Sequence, residues 1–306
     1  MRILVTGGAG FIGSHLVDSL IADDHQVSII DDLSSGLKEN INRAAEIFKL
    51  DIRDQGINKI FTKQKPEIVF HLAAQKNVRK SVADPVYDAE VNIIGSLNVL
   101  EQCRLHKSKI IFTSTGGAIY GDTEDRPTKE NHPERPVSPY GVAKLAVDKY
   151  LYFYEQVYGL KNVSLRLANV YGPRQDPKGE AGVVAIFLEK LLTGKQPVIN
   201  GDGKQTRDYV YVADVVDAAI KALDEKARGF YNIGTAKETD VNILLAEMIK
   251  QGGFKLTGSS GPALAGEQQN SCLNYQRAKQ ELNWQPRYSL AKGLKKTIKW
   301  FKEKYV

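Results

Sequence analysis

At 306 residues, with 42% hydrophobic and 25% charged side chains, the chain has the make-up of a folded globule larger than one modal domain and excludes a disordered polymer. Its net charge of +6 comes from 42 basic and 36 acidic residues with no long block or aromatic-interleaved basic patch, which speaks against nucleic acid and suits an anionic small molecule. No run reaches the ~18 apolar residues of a membrane span, and a strand-like run at residue 1 leaves no room for a signal peptide, so the expected location is the cytoplasm.

The chain opens on Met1-Arg2-Ile3-Leu4-Val5-Thr6, an apolar run of strand character. Gly7-Gly8-Ala9-Gly10-Phe11-Ile12-Gly13 and an apolar-periodic stretch over 14–21 follow. In this succession of strand, loop and helix, Gly7, Gly10 and Gly13 serve a tight turn, close backbone approach to a pyrophosphate at the helix N-terminus, and close helix-to-strand packing. A second β-rich run, Val27-Ser28-Ile29-Ile30, ends in Asp31, 18 residues after Gly13 and near the ~20-residue spacing of an acid that binds an adenosine ribose. Such an acid would repel a 2′-phosphate, and no arginine follows it directly, so the cofactor read here is NAD rather than NADP. Further strand-like runs at 68–71, 110–114 and 163–167, with helix-like stretches such as 91–105 between them, predict an α/β fold with a doubly wound parallel sheet. Cys103 and Cys272 fit no CxxC spacing, so no metal or redox centre is expected.

Ser138-Pro139-Tyr140-Gly141-Val142-Ala143-Lys144 reads as a helix start. Ser138 is the N-cap, Pro139 takes the first helical position, and Tyr140 and Lys144 share a face. A free phenol ionises near pH ~10, and a cation within ~4 to 6 Å favours the phenolate, so Lys144 is expected to lower Tyr140 toward use as an acid/base group. The helix continuing over 145–158 is apolar or aromatic nearly all round and must be covered, partly by the core and partly by a homodimer in which it and the 91–105 helix meet their symmetry mates. Proline and glycine then cluster from Tyr171 to Gly179. That shift sets a boundary near residue 170, with one lobe over 1–170 and a smaller one over 171–306, some segments interleaved. The second lobe is expected to hold an apolar helix near 182–192, a turn at Asn200-Gly201-Asp202-Gly203, a helical region from Val241, a glycine-rich loop over 252–266 and an amphipathic helix over 290–302.

The segments TGGAGFIG (6–13), HLAA (71–74), STGGAIYG (114–121), the YxxxK pair, NVYGPRQ (169–175), GDGKQTRDYVYVAD (201–214) and NIGT (232–235) form an ordered set. Over almost the whole chain they resemble the extended short-chain dehydrogenase/reductase family, in its nucleotide-sugar branch and most closely the UDP-glucose 4-epimerases. The resemblance implies a Rossmann-type sheet with a smaller substrate-binding lobe, NAD as cofactor, a UDP-hexose as substrate and no metal. It implies that Gly7, Gly10, Phe11, Ile12 and Gly13 cradle the dinucleotide, that Asp31, with Asp32 beside it, takes the adenosine ribose, and that Asp51 and Ile52 meet the adenine edge. Leu72, Ala73, Ala74, Asn92 and Ser114 would line the cleft, and Lys76 would reach the nicotinamide ribose and the sugar. Asn169 would bind a diphosphate oxygen, and Arg207 would clamp the same diphosphate through a fork of charge-assisted hydrogen bonds. Tyr140 would take the proton of the sugar 4-hydroxyl as C4 passes its hydride to NAD. The 4-keto sugar would then turn over and take the hydride back on its other face, giving the C4 epimer.

Departures from the family pattern sharpen this expectation. The related dehydratases resemble one another in a Thr-Asp-Glu run ahead of the tyrosine that aligns with Tyr120. Here those positions are Gly116, Gly117 and Ala118, so elimination lacks its acids. Gly116 also lacks the hydroxyl that usually bonds the sugar 4-oxygen, a role expected to pass to Thr115. Leu264, ahead of Gly266-Glu267, replaces a usual diphosphate arginine, and Asn200 stands where an aromatic commonly flanks the nucleobase. Ser271 falls where a tyrosine excludes N-acetyl sugars in narrow-specificity epimerases, so UDP-N-acetylglucosamine is expected to be accepted too. The alternatives left open are an epimerase of another nucleotide sugar such as UDP-glucuronate, an NAD-dependent dehydrogenase, and a non-catalytic NAD-binding regulator.

Overall fold

The computed structural model describes residues 1–178, 182–262 and 268–305. Strands β1 (Arg2–Thr6), β2 (Gln26–Asp31), β3 (Glu46–Lys49), β4 (Ile68–His71), β5 (Lys109–Thr115) and β6 (Asn162–Leu167) follow one another along the first part of the chain. Short strands β7 (Asn169–Tyr171), β8 (Val198–Asn200) and β9 (Thr206–Tyr211) come next, then β10 (Gly229–Ile233), β11 (Glu238–Asp240) and β12 (Ser259–Gly261). Seven of these form one parallel sheet in the order β10-β6-β5-β4-β1-β2-β3. From β1 the chain builds outward to β2 and β3, then crosses to the other side of β1 for β4. Strand order therefore reverses between β1 and β4, and a crevice opens at their C-terminal ends.

The residues explain this arrangement. Ile68, Val69, Phe70 and His71 of β4 are all buried, as a central strand covered on both faces requires. Alternate residues of β1 serve the two faces. Ile3 and Val5 join Leu16, Val17 and Leu20 of the Phe11–Ala22 helix and Val215 of the Val212–Lys221 helix. Leu4 joins Phe61, Val99, Leu100, Val147 and Leu151 from the Ile57–Gln64, Gly95–His106 and Pro139–Tyr158 helices. A third core, with Phe187, Leu188, Leu244, Met248, Leu294 and Phe301, knits the Val183–Leu192, Val241–Gly252 and Leu290–Tyr305 helices into the smaller lobe.

Several elements differ from the sequence expectation. The helix expected over 91–105 begins as a π turn, Glu90–Ile94, before the regular Gly95–His106 helix. The glycine-rich stretch expected to be a loop contains β12, which pairs with β8, while Leu264, Gly266 and Glu267 lie outside the described residues. The helix expected to be apolar nearly all round buries one face through Val147, Leu151 and Tyr154. Its other face leaves Tyr152, Phe153, Val157 and Tyr158 exposed to between 43% and 59%. Among the described residues no helix is long and apolar enough to cross a membrane.

Trp284 is fully buried in the core with Ile3 and Val5 and donates its indole N–H to the Asp214 carbonyl at 2.9 Å. Asp214 in turn accepts from the backbone N–H groups of Arg287 and Tyr288 at 3.0 and 3.1 Å. Trp284→Ala is expected to cost about 3 to 5 kcal/mol in urea unfolding, through the cavity and the orphaned carbonyl.

Candidate active site

The crevice begins where β1 runs into the glycine loop. Gly7 has φ +74°, and a Cβ there would stand 2.7 Å from the Ala73 nitrogen, while one at Gly13 would stand 2.1 Å from the Gly7 carbonyl oxygen. Only glycine lets the loop, the first helix and the β4 loop come this close. Gly10 caps that helix without a side-chain hydrogen bond, which leaves its N-terminal N–H groups facing an anion site. Asp31, at the end of β2 and 7% exposed, accepts from the N–H of Ala9 and of Leu33, each at 2.9 Å. Burial pushes its carboxyl up against the pull of those bonds. Asp51 is held by Arg53 at 2.7 Å, and that guanidinium keeps its carboxyl below the usual range.

These groups border one cleft of about 510 Å³ that runs from Asp31 and Asp51 past Leu72 to Tyr140 and Lys144. Gly7, Gly10, Phe11, Ile12, Gly13, Asp32, Ile52, Ala73, Ala74, Lys76, Ser114 and Thr115 also line it. The glycine cradle, the uncapped helix start and the acid at the end of β2 fit a dinucleotide. Asn92 stands behind the wall instead. Its amide bonds the Gln75 N–H at 2.9 Å, the Gln75 carbonyl at 2.8 Å and the Asp88 carboxylate at 2.9 Å. It fixes the loop that lines the cleft.

The Pro139–Tyr158 helix starts as its sequence dictates, with the Gly141 N–H donating to the Ser138 hydroxyl at 3.1 Å and proline in the first turn. The Tyr140 N–H donates to the Ser81 hydroxyl at 3.2 Å, docking the helix start on the Val78–Ala83 helix. One turn on, Lys144 is 3% exposed. Its ammonium donates to the Thr113 carbonyl at 3.0 Å and lies 4.5 Å from the Phe112 ring centre and 6.0 Å from that of Tyr140. The expected lowering of the phenol is not what this geometry produces. Burial pushes Tyr140 up to about 12, with the Asp88 carboxylate adding to the rise, and pushes Lys144 down to about 8 against Asp148 and Asp88. Desolvation dominates both groups, and the ammonium's hydrogen bond goes to the Thr113 carbonyl.

On the sugar side of this pair, the Thr115 hydroxyl accepts from the Ala118 N–H at 3.2 Å and keeps its own proton to donate. Gly116 turns away: a Cβ there would stand 2.4 Å from Leu273 Cδ1. Gly117 is the open position, since a Cβ on it would lie 3.6 Å from the Ser271 hydroxyl, 3.8 Å from Asn169 Oδ1 and 3.9 Å from the Thr115 hydroxyl. Thr115, Asn169 and Ser271 thus converge over a bare backbone patch. Arg207, on β9, donates to the carbonyls of Thr206 at 2.8 Å, Gln269 at 3.2 Å and Gln268 at 2.7 Å. Neither Arg207 nor Asn200 of β8 borders the cleft itself. Three supporting residues carried no signal in the spacing: Gln75, Leu273 and Asp208. Fully buried Asp208 accepts from Thr235, Ala236 and Leu273, and so sets the Leu273 backbone. Burial pushes its carboxyl up to about 6.

Lys144 gives a pH signature. Its folded value is about 8 against 10.5 for an ordinary lysine, so between those values the unfolded chain holds the extra proton and stability rises with pH. The stability of the wild type relative to Lys144→Met is expected to rise over that window by on the order of 3 kcal/mol, read from denaturant unfolding at each pH.

Comparison with known proteins agrees with this geometry. The profile described as the NAD dependent epimerase/dehydratase family matches residues 3–234. A UDP-glucose 4-epimerase from Mycolicibacterium smegmatis is 46% identical over 311 residues, covering 99% of both chains. The crystal structure of a UDP-glucose 4-epimerase from Thermotoga maritima with UDP-glucose superposes with a TM-score of 0.98 at 48% identity, covering both chains completely. That of a Thermus thermophilus UDP-glucose 4-epimerase complex with NAD superposes with a TM-score of 0.95 at 43% identity over 99% of each chain. The chain therefore belongs to the NAD-dependent epimerase/dehydratase family.

Proposed function

We propose that the chain is an NAD-dependent UDP-hexose 4-epimerase that interconverts UDP-glucose and UDP-galactose. The observation that carries this reading is the convergence of Tyr140, Lys144 and Thr115 at the inner end of the cleft, beside a stretch, Gly116 to Ala118, that offers no carboxylate for elimination. The names of its relatives, and the UDP-glucose and NAD in the titles of the two superposed structures, support it. In the division of labour we propose, the lobe over 1–170 holds NAD and the lobe over 171–306 holds the nucleotide end of the substrate. The Val212–Lys221 helix and β10 return from the second to complete the first.

NAD held in the cleft would supply the hydride acceptor and donor for sugar C4, by way of a transient 4-keto sugar, and its oxidised form would add positive charge to the site. Tyr140 moves the proton of the 4-hydroxyl. Lys144 holds an ammonium beside it, and the Thr115 hydroxyl donates to the 4-oxygen in place of a hydroxyl that Leu273 leaves no room for at residue 116. Asn169 and Arg207 take the diphosphate, Asn200 lies toward the nucleobase, and the small Ser271 leaves space for an N-acetyl group. The exposed aromatic face at Tyr152, Phe153, Val157 and Tyr158 supports a homodimer. The free, buried Cys103 and Cys272 suit the cytoplasmic location we propose.

Incubation with UDP-glucose, UDP-galactose and their N-acetyl and uronic-acid analogues, with C4 configuration read by proton NMR, tests the function. Epimers of the glucose and N-acetylglucosamine pairs are expected, and no epimer from any substrate overturns the reading. Tyr140→Phe should abolish turnover while NAD binding persists, and Thr115→Val should lower kcat roughly 10- to 100-fold through the lost hydrogen bond. Sedimentation should give a dimer for the wild type and a monomer for Phe153→Glu/Val157→Glu. A monomeric wild type rules the dimer out.

A further inference from the structure

Asp88, in the short Pro85–Ala89 helix, is 1% exposed. Its Oδ1 accepts from the Gln75 side-chain amide at 2.8 Å and from the Asn92 amide at 2.9 Å, while Oδ2 is buried without a hydrogen-bond partner. A buried carboxylate with one bare oxygen is expensive unless a cation offsets it. The helix that carries Asp88 packs on the Pro139–Tyr158 helix, which carries the buried Lys144, and burial raises the Asp88 carboxyl while its two amide bonds and the Lys144 charge draw it back. Gln75, which Asp88 grips, is itself locked: its N–H and carbonyl bond Asn92, and its side-chain oxygen accepts from the Asn77 N–H at 2.6 Å. One carboxylate therefore joins the cleft loop to the proton-transfer pair.

We infer that Asp88 is a positioning residue of that pair: with Asp148 its buried charge supports the Lys144 ammonium, and its bonded oxygen fixes the 72–77 loop through Gln75 and Asn92. Asp148 shares the charge role, and the remaining charged groups are engaged elsewhere or exposed. On the Pro139–Tyr158 helix, Asp148 is engaged by Arg166 at 2.9 Å and by Ser164 at 2.6 Å. On the Val78–Ala83 helix, Arg79 is exposed and the Lys80 ammonium sits 4.3 Å over the Tyr87 ring. Glu90 of the π turn is paired with Arg53 at 3.3 Å, Lys76 of the cleft loop is exposed, and His71 of β4, pushed down to about 3 by burial, is neutral.

The role in turnover rests on the epimerase reading, whereas the charge balance is measurable without substrate. Asp88→Asn keeps an oxygen for the two amides and removes the charge. The Lys144 13Cε resonance, assigned by its loss in Lys144→Met, is titrated in wild type, Asp88→Asn and Asp88→Glu. The midpoint is expected to fall by roughly half a unit to one unit in Asp88→Asn and to stay at the wild-type value in Asp88→Glu. The limb of the kcat–pH profile that follows Lys144 should move with it. An unchanged Lys144 midpoint in Asp88→Asn overturns the proposal whatever happens to activity. If Asp88→Asn does not fold, Asp88→Ser is read in the same way. A wild type with no epimerase activity would sink the function proposed above and leave the Lys144 titration readable.

Discussion

Lys144 places an ammonium inside the protein wall, and much of the molecule is arranged around keeping it there. One of its protons goes to the Thr113 carbonyl near the end of β5, and the Phe112 ring lies beneath it. One turn further along the same helix stands Asp148, fully buried and held by Ser164 and Arg166 of β6. Arg166 has no exposure at all and donates its remaining bonds to the Tyr120 hydroxyl at 2.9 Å, Glu134 at 3.0 Å and the Glu130 carbonyl at 3.5 Å, with the Phe230 ring 4.4 Å away. A buried ion pair is tolerated only when such a set is complete, because each unpaired member leaves a desolvated charge.

That network explains why the sheet recruits a strand from beyond the lobe boundary. β10 brings Phe230 over Arg166, and Asn232 accepts from the Tyr120 hydroxyl at 3.0 Å while donating to the Thr128 carbonyl at 2.9 Å. Without β10 the guanidinium and the tyrosine would face solvent at the edge of β6. Elements before and after residue 170 therefore share one polar interior, which Phe230 and Asn232 of β10 complete around Arg166 and Tyr120.

The parts of the fold legible in the sequence are those decided locally. β1, β2, β4, β5 and β6 are β-rich runs buried over nearly their whole length because each is covered on both faces, and the helix start at Ser138 and Pro139 is set by capping chemistry. β3 escaped because Glu46 to Lys49 is an edge strand with exposed side chains and no alternation to detect. The glycine loop and Asp31 carry their spacing with them, so most of the residues lining that end of the cleft were legible in the sequence. The reactive end was not. Whether Lys144 lowers the phenol depends on how much water the fold removes from both groups. That Asn92 serves the loop rather than the cleft depends on Gln75 and Asp88, neither of which has a motif.

The close fit of Gly116 against Leu273 has a meaning for descent as well as for shape. With Leu273 Cδ1 2.4 Å from where a Cβ would be, no side chain can enter at residue 116 unless residue 273 shrinks or shifts. The two positions, one at the end of the central sheet and the other in the second lobe, form a single unit of variation. A side chain at residue 116 therefore comes with either a new rotamer or a smaller residue at 273, so a change at one position is read out at the other.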